Sequence, residues 1–396
     1  MPRNRVLSSV AAIVTAAALS LIAPAFAADS PEALAAELDQ VRQESIAAAH
    51  DLQQRQAAIA ALVRDIDLLD RDLAARRRGL AESQTEQAQL LGALERLARH
   101  PPDQAKPLFR SPIERVRSTI LLAATIPALR AEARALTGEV AAVDTLRRRI
   151  AARETELAGH RDALPKDRER LTQIVAHRAE LMQRLVPDID KLARLLAKPE
   201  TNDLDKLIER ADAAVDKRDK ALLARARAGL PKDKADALTP ADADPTRPRE
   251  LRSFAAVSDA LRLPVPGTIL DAANSGSGQG LHVATPAAAA VTAPLDGQIV
   301  YVGPFQPYVL VLILRHADGY HSLLAGLGRA DGAVGQWVLA GEPVGAMPDA
   351  AEAGSGGEIY VELRHNGGPV DPQPWLAQRE DSIGRGENIG DQRVRE

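Results

Sequence analysis

Apolar residues recur at alternating spacings of three and four from Leu34 to Leu97, which sets the first part of this chain apart from the rest. A repeat of this kind, kept over so many turns, predicts a coiled-coil helix rather than a helix on a globular core. His100-Pro101-Pro102 ends the pattern, because proline cannot donate the backbone hydrogen bond that a helix needs. The seam comprises Leu34, Leu38, Val41, Ala48, Leu52, Ile59, Leu62, Ile66, Leu69, Leu73, Leu80, Leu90, Leu94 and Leu97, interrupted by Ser45, Arg55, Arg76, Ser83 and Gln87.

A second heptad series follows a more apolar stretch at residues 103–128. Pro165 lies inside this series, and we expect it to kink or break the helix. Two long helices joined by a short apolar tip favour an antiparallel hairpin, although a parallel homodimer also satisfies the seam. The second seam comprises Leu129, Leu136, Val143, Ile150, Leu157, Leu164, Leu171 and Leu185.

A further amphipathic helix is predicted at residues 202–230, with Asn202 as its N-cap. Residues 231–249 are rich in Pro, Asp, Ala and Lys, a composition that predicts a flexible segment. The helix lacks a heptad partner, so it either extends the hairpin or folds back over a neighbouring domain as a regulatory cover. Its apolar stripe comprises Leu204, Leu207, Ile208, Val215, Leu222 and Leu223.

The chain then changes to short apolar runs that are bounded by Gly, Pro and Asp, and these runs predict strands at residues 290–302, 308–314, 320–327, 337–344 and 358–363. In the last run, side chains alternate between two faces of the strand. This alternation predicts that Ile359, Val361 and Leu363 face a core while Glu358, Tyr360, Glu362 and Arg364 line a groove.

Composition and the N-terminal residues add two constraints. The net charge of −4 gives no reason to expect a nucleic-acid partner, and the absence of cysteine excludes disulfides and thiolate-bound metals. Arg3 and Arg5 precede an apolar run, which is followed by Ala25-Phe26-Ala27 as a cleavage site. Residues 1–27 are therefore interpreted as a secretory signal peptide, and the mature protein is expected in the periplasm.

The order of the C-terminal segments resembles the LytM-type, or lysostaphin-like, zinc peptidases that cleave peptidoglycan. The segments that carry the resemblance are residues 280–286, 293–297, 315–319, 324–327, 359–364 and 369–372. The resemblance implies a mostly-β domain with a substrate groove. The predicted fold class is thus multidomain, with a long α-helical coiled-coil hairpin followed by a LytM-type domain.

The zinc-binding positions of an active LytM-type enzyme are altered in this chain. The resemblance implies that they correspond to Gly278, His282, Gly326, Glu358 and Tyr360. A catalytic zinc needs about three His or carboxylate ligands, and glycine supplies no donor atom. We therefore predict a non-enzymatic domain with no metal and no cofactor. One rival is a zinc endopeptidase with relocated ligands His282, His316 and Glu358. Apart from that rival, His316 is interpreted as structural and His321 as a surface residue.

The signal peptide, hairpin, linker helix and altered LytM-type domain together resemble the EnvC-type murein hydrolase activators. That family has Leu-Tyr-Phe-Glu-Ile-Arg where this chain has Ile359-Tyr-Val-Glu-Leu-Arg364. The resemblance implies that the groove binds and activates an N-acetylmuramoyl-L-alanine amidase in septal wall splitting. It also implies that the coiled coil binds an FtsE–FtsX-type membrane complex, and it leaves peptidoglycan open as a further ligand. The implied partner-binding residues are His282, Tyr308, Leu324, Tyr360 and Arg364.

These interpretations divide the chain into five parts. They are a signal peptide at 1–27, a hairpin at 28–197 with its tip near 103–128, a linker at 198–262 that contains the helix at 202–230, a degenerate LytM-type domain at 263–380, and a disordered tail at 381–396. A structural coiled-coil protein that only holds peptidoglycan is the second rival. Stimulation of an amidase distinguishes the predicted activator from that rival.

Overall fold

A computed structural model describes residues 30–99, 112–187, 189–196, 203–228, 230–248, 250–252, 262–270, 280–349 and 356–372. The predicted signal peptide, Gly278 and the predicted disordered tail lie outside these residues. The helices, in chain order, are α1 Pro31–Arg99, α2 Pro112–Leu185, α3 Ile189–Leu196, α4 Leu204–Arg227, α5 Lys232–Ala237 and α6 Pro240–Ala243. Within the described residues, no helix is long and apolar enough to span a membrane.

Helices α1 and α2 form the predicted antiparallel hairpin. Partners on α2 move towards its N-terminus as positions on α1 move towards its C-terminus, which is the signature of antiparallel packing. The ion pairs that show this are Glu37–His177, Arg55–Asp167, Asp65–Arg153 and Arg76–Glu139. Most of the heptad seam between them is buried, including Leu52, Leu69 and Ile150.

Pro165 does not break the second helix, so the break allowed by the sequence-based expectation is absent. Helix α2 is continuous over 74 residues and passes through this position. A proline in a helix interior removes one backbone hydrogen bond, but the packing of a long apolar seam outweighs that loss. Pro165 itself is exposed, so its ring displaces no buried side chain.

The C-terminal domain contains two antiparallel sheets. The larger sheet has the strand order β1-β2-β10-β6-β5-β4-β8, with β11 paired to β10, and the smaller sheet has the order β3-β9-β7. The strands are β1 Thr268–Leu270, β2 Leu281–Pro286, β3 Ala290–Thr292, β4 Gly297–Phe305, β5 Tyr308–Arg315, β6 Tyr320–Ala325, β7 Arg329–Ala330, β8 Trp337–Val338, β9 Pro343–Ala346, β10 Gly356–His365 and β11 Gly368–Val370.

Two of the predicted strands are each divided by a turn. The run at 290–302 separates into β3 and β4 around Pro294, which cannot donate to a strand ladder. The run at 337–344 separates into β8 and β9 at Gly341, whose φ of +86° favours glycine. Each division moves the chain from one sheet to the other. The second sheet therefore arises from turns inside runs whose composition suits a single strand.

The two faces of the larger sheet are buried by different parts of the chain. One face packs on the smaller sheet through Val291, Val344 and Met347. The opposite face packs on α3 and α4, with Leu192 and Leu207 in the same apolar cluster as sheet residues. The helices that follow the hairpin are therefore part of the core of the C-terminal domain.

The linker differs from its sequence-based interpretation in two ways. The N-cap of α4 is Asp203 rather than Asn202, and its side chain accepts hydrogen bonds from the amides of Asp205 and Lys206. The segment predicted to be flexible contains α5, α6 and a turn in which Asp244 and Thr246 are buried. We call residues 230–248 the connector. It packs back along α4 because its polar groups find partners there.

Replacing Pro165 with alanine should stabilise the hairpin. The exposed position places no packing demand on the side chain, and alanine restores the missing amide donor. The gain should be up to about 3 kcal/mol, the usual cost of proline in a helix interior. Thermal unfolding followed by circular dichroism measures it, with Lys166→Ala as the neighbouring exposed control. An unchanged melting temperature in Pro165→Ala would contradict this account of the helix.

Candidate functional site

The candidate site is the face of the larger sheet on which Tyr360 lies. Tyr360 of β10 pairs with His282 of β2, and their rings are 5.0 Å apart. Tyr308 of β5 stacks on Tyr360 with 5.5 Å between ring centroids and an interplanar angle of 13°. Three of the predicted partner-binding residues thus form one continuous row across the sheet. We call this face the groove.

One end of the groove is open to solvent. The imidazole Nδ1 of His282 contacts the carboxylate of Glu358, and these side chains are 27% and 52% exposed. Gly280 lies beside this end, where a Cβ atom would fall 2.5 Å from the ring of Tyr360. The absence of a side chain at residue 280 therefore allows Tyr360 to lie flat on the strand.

The centre of the groove holds a buried polar network on β10. The hydroxyl of Tyr360 donates to Glu362 Oε2 at 2.7 Å, and Arg364 donates to Glu362 Oε1. Burial, together with the hydrogen bond to Glu362, raises the pKa of Tyr360 far above its usual value. Tyr360 is therefore a neutral hydrogen-bond donor here, which is unsuited to binding a metal ion.

Helix α4 covers the other part of the groove. Its apolar stripe faces the sheet, and α3 adds Leu192 and Leu196 beside it. The stripe residues that are almost fully buried are Leu207, Ile208, Ala211 and Val215. The sequence alone leaves open whether this helix extends the hairpin or folds back over a neighbouring domain. In the structure, α4 folds over the C-terminal domain. We call α4 the cover helix.

Ionic contacts line the edge of the cover helix. Asp205 contacts Arg364, Asp212 Oδ2 lies 3.0 Å from His321 Nε2, and Asp216 Oδ1 accepts from Arg315 Nη1 at 2.7 Å. The spacing of these aspartates places them on one side of a helix, next to the apolar stripe. The acidic stripe is visible in the sequence and indicates that α4 packs beside basic residues, which hydrophobic periodicity alone does not reveal.

Two sequence-based assignments need correction at this face. His321 is expected at the surface from its sequence context, but it is 8% exposed because it lies beneath the cover helix and pairs with Asp212. Leu324 is expected in the groove from the resemblance, but it is fully buried on the opposite side, in the cluster that packs on the smaller sheet. The strand alternation explains this position, because Leu323 and Ala325 take the groove side of β6.

The residues present do not fit a catalytic zinc centre. Gly326 has φ of +95°, and a Cβ atom there would fall 2.7 Å from the carbonyl oxygen of Glu358. His316 is buried between the Asp296 carbonyl and the Ser322 hydroxyl, and burial lowers its pKa to about 4. His316 is therefore a structural residue and not a relocated zinc ligand. Among the described residues, no three His, Cys, Asp or Glu side chains form a group that could hold a metal ion.

The full chain should bind no stoichiometric zinc and cleave no peptidoglycan. The reason is that His282 and Glu358 offer two donors, whereas a catalytic zinc centre needs about three protein ligands. Metal analysis after zinc loading and dialysis, with lysostaphin as the positive control, makes the measurement. One tightly held zinc per chain with chelator-sensitive cleavage would overturn the assignment.

Comparison with known proteins identifies the type of domain at the C-terminal end of the described residues. Residues 276–372 match the profile of Peptidase family M23. The murein hydrolase activator EnvC of Escherichia coli is 36% identical over 92 residues, which cover 22% of this chain and 21% of that protein. An uncharacterized protein of Neisseria meningitidis is 28% identical over 131 residues, covering 31% and 21% of the two chains.

The match with each of these two relatives spans about a fifth of the relative's length. A putative M23 peptidase structure from Pseudomonas aeruginosa aligns with a TM-score of 0.28 and 24% identity, over 33% of this chain and 55% of that one. The profile match therefore identifies residues 276–372 as an M23-type domain, and the similarity to EnvC covers about a fifth of each chain.

Proposed function

We propose that this protein is a non-enzymatic activator of N-acetylmuramoyl-L-alanine amidases in the bacterial envelope, acting in septal wall splitting. The observation that carries the proposal is the state of the groove. The hydroxyl of Tyr360 is held by Glu362, and a helix of the same chain packs over the groove. The similarity of the M23 domain to the activator EnvC supports the same reading.

The amidase binds in the groove once the cover helix leaves it. Tyr308, Tyr360 and Arg364 then form the contact surface, with His282 at its open end. Tyr360 and Arg364 are each 7% exposed while the helix is in place, so a partner cannot reach them in that state. A two-state cover of this kind allows activation to be regulated, because any ligand that prefers the open form shifts the population towards it.

The long hairpin is the second binding element in this proposal. We assign the hairpin to the periplasmic part of an FtsE–FtsX-type complex, with export by the signal peptide at residues 1–27. Peptidoglycan remains a candidate ligand of the C-terminal domain. Binding to the hairpin controls the cover helix, so that the amidase is activated only where the membrane complex is present.

A carboxylate on the buried side of the cover helix should activate the protein without a coiled-coil partner. Ala211 is fully buried against the sheet, and Ala211→Asp places an unpaired charge there. Amidase stimulation should rise at least about tenfold, since an unpaired buried charge costs several kcal/mol. Release of dye from labelled peptidoglycan by candidate amidases measures it.

Ala213→Asp is the matched control, because Ala213 lies on the exposed side of the same helix. It should leave stimulation at the parental level. Equal stimulation by the parent and both variants would show that α4 does not restrain the groove. Absence of stimulation by all three, with every candidate amidase, would instead refute the activator function.

Tyr360→Ala and Arg364→Ala should weaken amidase binding when they are measured in the Ala211→Asp background. That background is needed because Arg364 also contacts Asp205, so its loss in the closed protein would loosen the cover. Each substitution should cost on the order of 2 kcal/mol, or about thirtyfold in affinity, if these are anchor residues. Titration calorimetry gives the affinity, and Arg329→Ala on the smaller sheet is the control. If both folded variants bind the amidase with parental affinity, the amidase contact lies elsewhere on the protein.

A further inference from the structure

Three parts of the molecule meet at a buried cluster of charged residues away from the groove. Arg42 of α1 and Arg178 of α2 are each 1% exposed, and Glu342 of the C-terminal domain is fully buried. Both helices of the hairpin therefore direct a cation to one carboxylate of the domain. We call these three residues the arginine cluster. It holds the base of the hairpin against the domain that carries the groove.

Arg178 links the hairpin to the C-terminal domain but not to the connector. Its guanidinium donates to Glu342 Oε1 at 2.8 Å, to the carbonyl oxygen of Pro343 at 3.0 Å and to that of Asp331 at 3.0 Å. These three acceptors satisfy a cation that is removed from water. Nothing in this set of contacts reaches the cover helix.

Arg42 differs, because it also contacts the connector. Its Nη2 atom donates to the carbonyl oxygen of Thr246 at 2.5 Å and to that of Trp337 at 3.1 Å, while its Nε lies 3.9 Å from Glu342 Oε2. One side chain of the hairpin thus bonds both to the domain and to the segment that follows the cover helix. The planar guanidinium suits this position, since it presents several donors at fixed angles.

The connector passes this contact on to the cover helix. Thr246 donates from its amide and its hydroxyl to Asp244 Oδ1, at 2.9 Å and 2.6 Å. Asp244 Oδ2 accepts from Arg218 of the cover helix at 3.1 Å. Arg42, Thr246, Asp244 and Arg218 therefore form one chain of hydrogen bonds. Because all four side chains are largely excluded from water, each link is costly to leave unmade.

The interface between hairpin and domain also contains a cleft beside the arginine cluster. The cleft has a volume of about 410 Å³ and lies between α2 and the loop after β7, with Ala179 and Met182 on one side and Asp331 and Ala333 on the other. A displacement of the hairpin against the domain can therefore be accommodated there. A displacement that carries Arg42 away from the domain breaks the hydrogen bonds of its Nη2 atom to Thr246 and Trp337, at 2.5 Å and 3.1 Å.

We propose that Arg42 is a positioning residue that couples the hairpin to the cover helix. When the hairpin shifts on the domain, Arg42 leaves Thr246, the Asp244–Arg218 link weakens, and the cover helix opens. This coupling is a mechanical route by which a shift of the hairpin opens the groove. The inference rests on the proposed function only for its biological role. The opening itself is a property of the chain and can be measured without an amidase.

The natural absence of cysteine allows a direct test in the full chain. Ala211→Cys places a thiol beneath the cover helix, and Ala293→Cys places one in the opposite core cluster, both at fully buried positions. Arg42→Lys keeps the charge but removes the guanidinium whose Nη2 atom donates to the carbonyl oxygens of Thr246 and Trp337. Arg76→Lys is the matched control, since Arg76 lies on the same helix and makes only exposed ion pairs. The rate of maleimide labelling reports opening at each thiol.

Arg42→Lys should accelerate labelling of the thiol at position 211 roughly tenfold, the effect of leaving a buried carbonyl unpaired. Labelling at position 293 should stay at the parental rate, and Arg76→Lys should change neither rate. Asp244→Asn should also expose the thiol at position 211, because it weakens the next link.

A parental labelling rate at position 211 in Arg42→Lys, or an equal acceleration at position 293, would overturn the coupling. The second of these results would mean that the substitution loosens the whole domain rather than the cover helix. Faster labelling at position 211 without amidase stimulation would keep the coupling and refute the proposed function.

Discussion

The burial of two apolar faces on one sheet is the constraint on which the rest of this structure depends. The smaller sheet packs on one face and is built from the same domain, so that burial is permanent. The other face presents Val300, Ile313 and Leu323, and it packs on α3 and the cover helix. A face this apolar cannot remain in water without cost, because each square ångström of exposed apolar surface costs about 25 cal/mol. The groove is therefore stable only when something covers it, either a helix of this chain or a partner of matching shape.

The cover helix holds the groove with a strength that a partner could overcome. Its large buried side chains are Leu207, Ile208 and Val215, and burying each stabilises by about 1.5–3 kcal/mol before ordering costs. Moving a two-state cover from 1% to 99% open requires a preference of about 5.5 kcal/mol. The two quantities are of the same order, so the burial of these three side chains is comparable with the preference for the open form that a ligand would need.

Periodic features were predictable from the sequence, and isolated polar residues were not. The heptads predict the hairpin, and the alternation around Ile359 predicts the two faces of β10, because both depend on many residues acting together. Leu324 is assigned to the wrong face because motif matching ignores the phase of its strand. The burial of Arg42 and Arg178 leaves no trace in the sequence, since an arginine beside a heptad seam usually points into water. Only the approach of Glu342, from a distant part of the chain, makes those positions interior.

The ionic contacts of the cover helix set its register more than its affinity. The side chains of Asp205 and Asp216 are 65% and 55% exposed, so their pairs with arginine stabilise by at most about 1 kcal/mol each. Neither arginine is left unpaired when the helix departs, because Arg364 keeps Glu362 and Arg315 keeps Gln298. The polar rim therefore adds little resistance to opening, yet it penalises a helix that slides by one turn and misaligns its aspartates. Apolar burial holds the cover closed, while the charges determine which residues it covers.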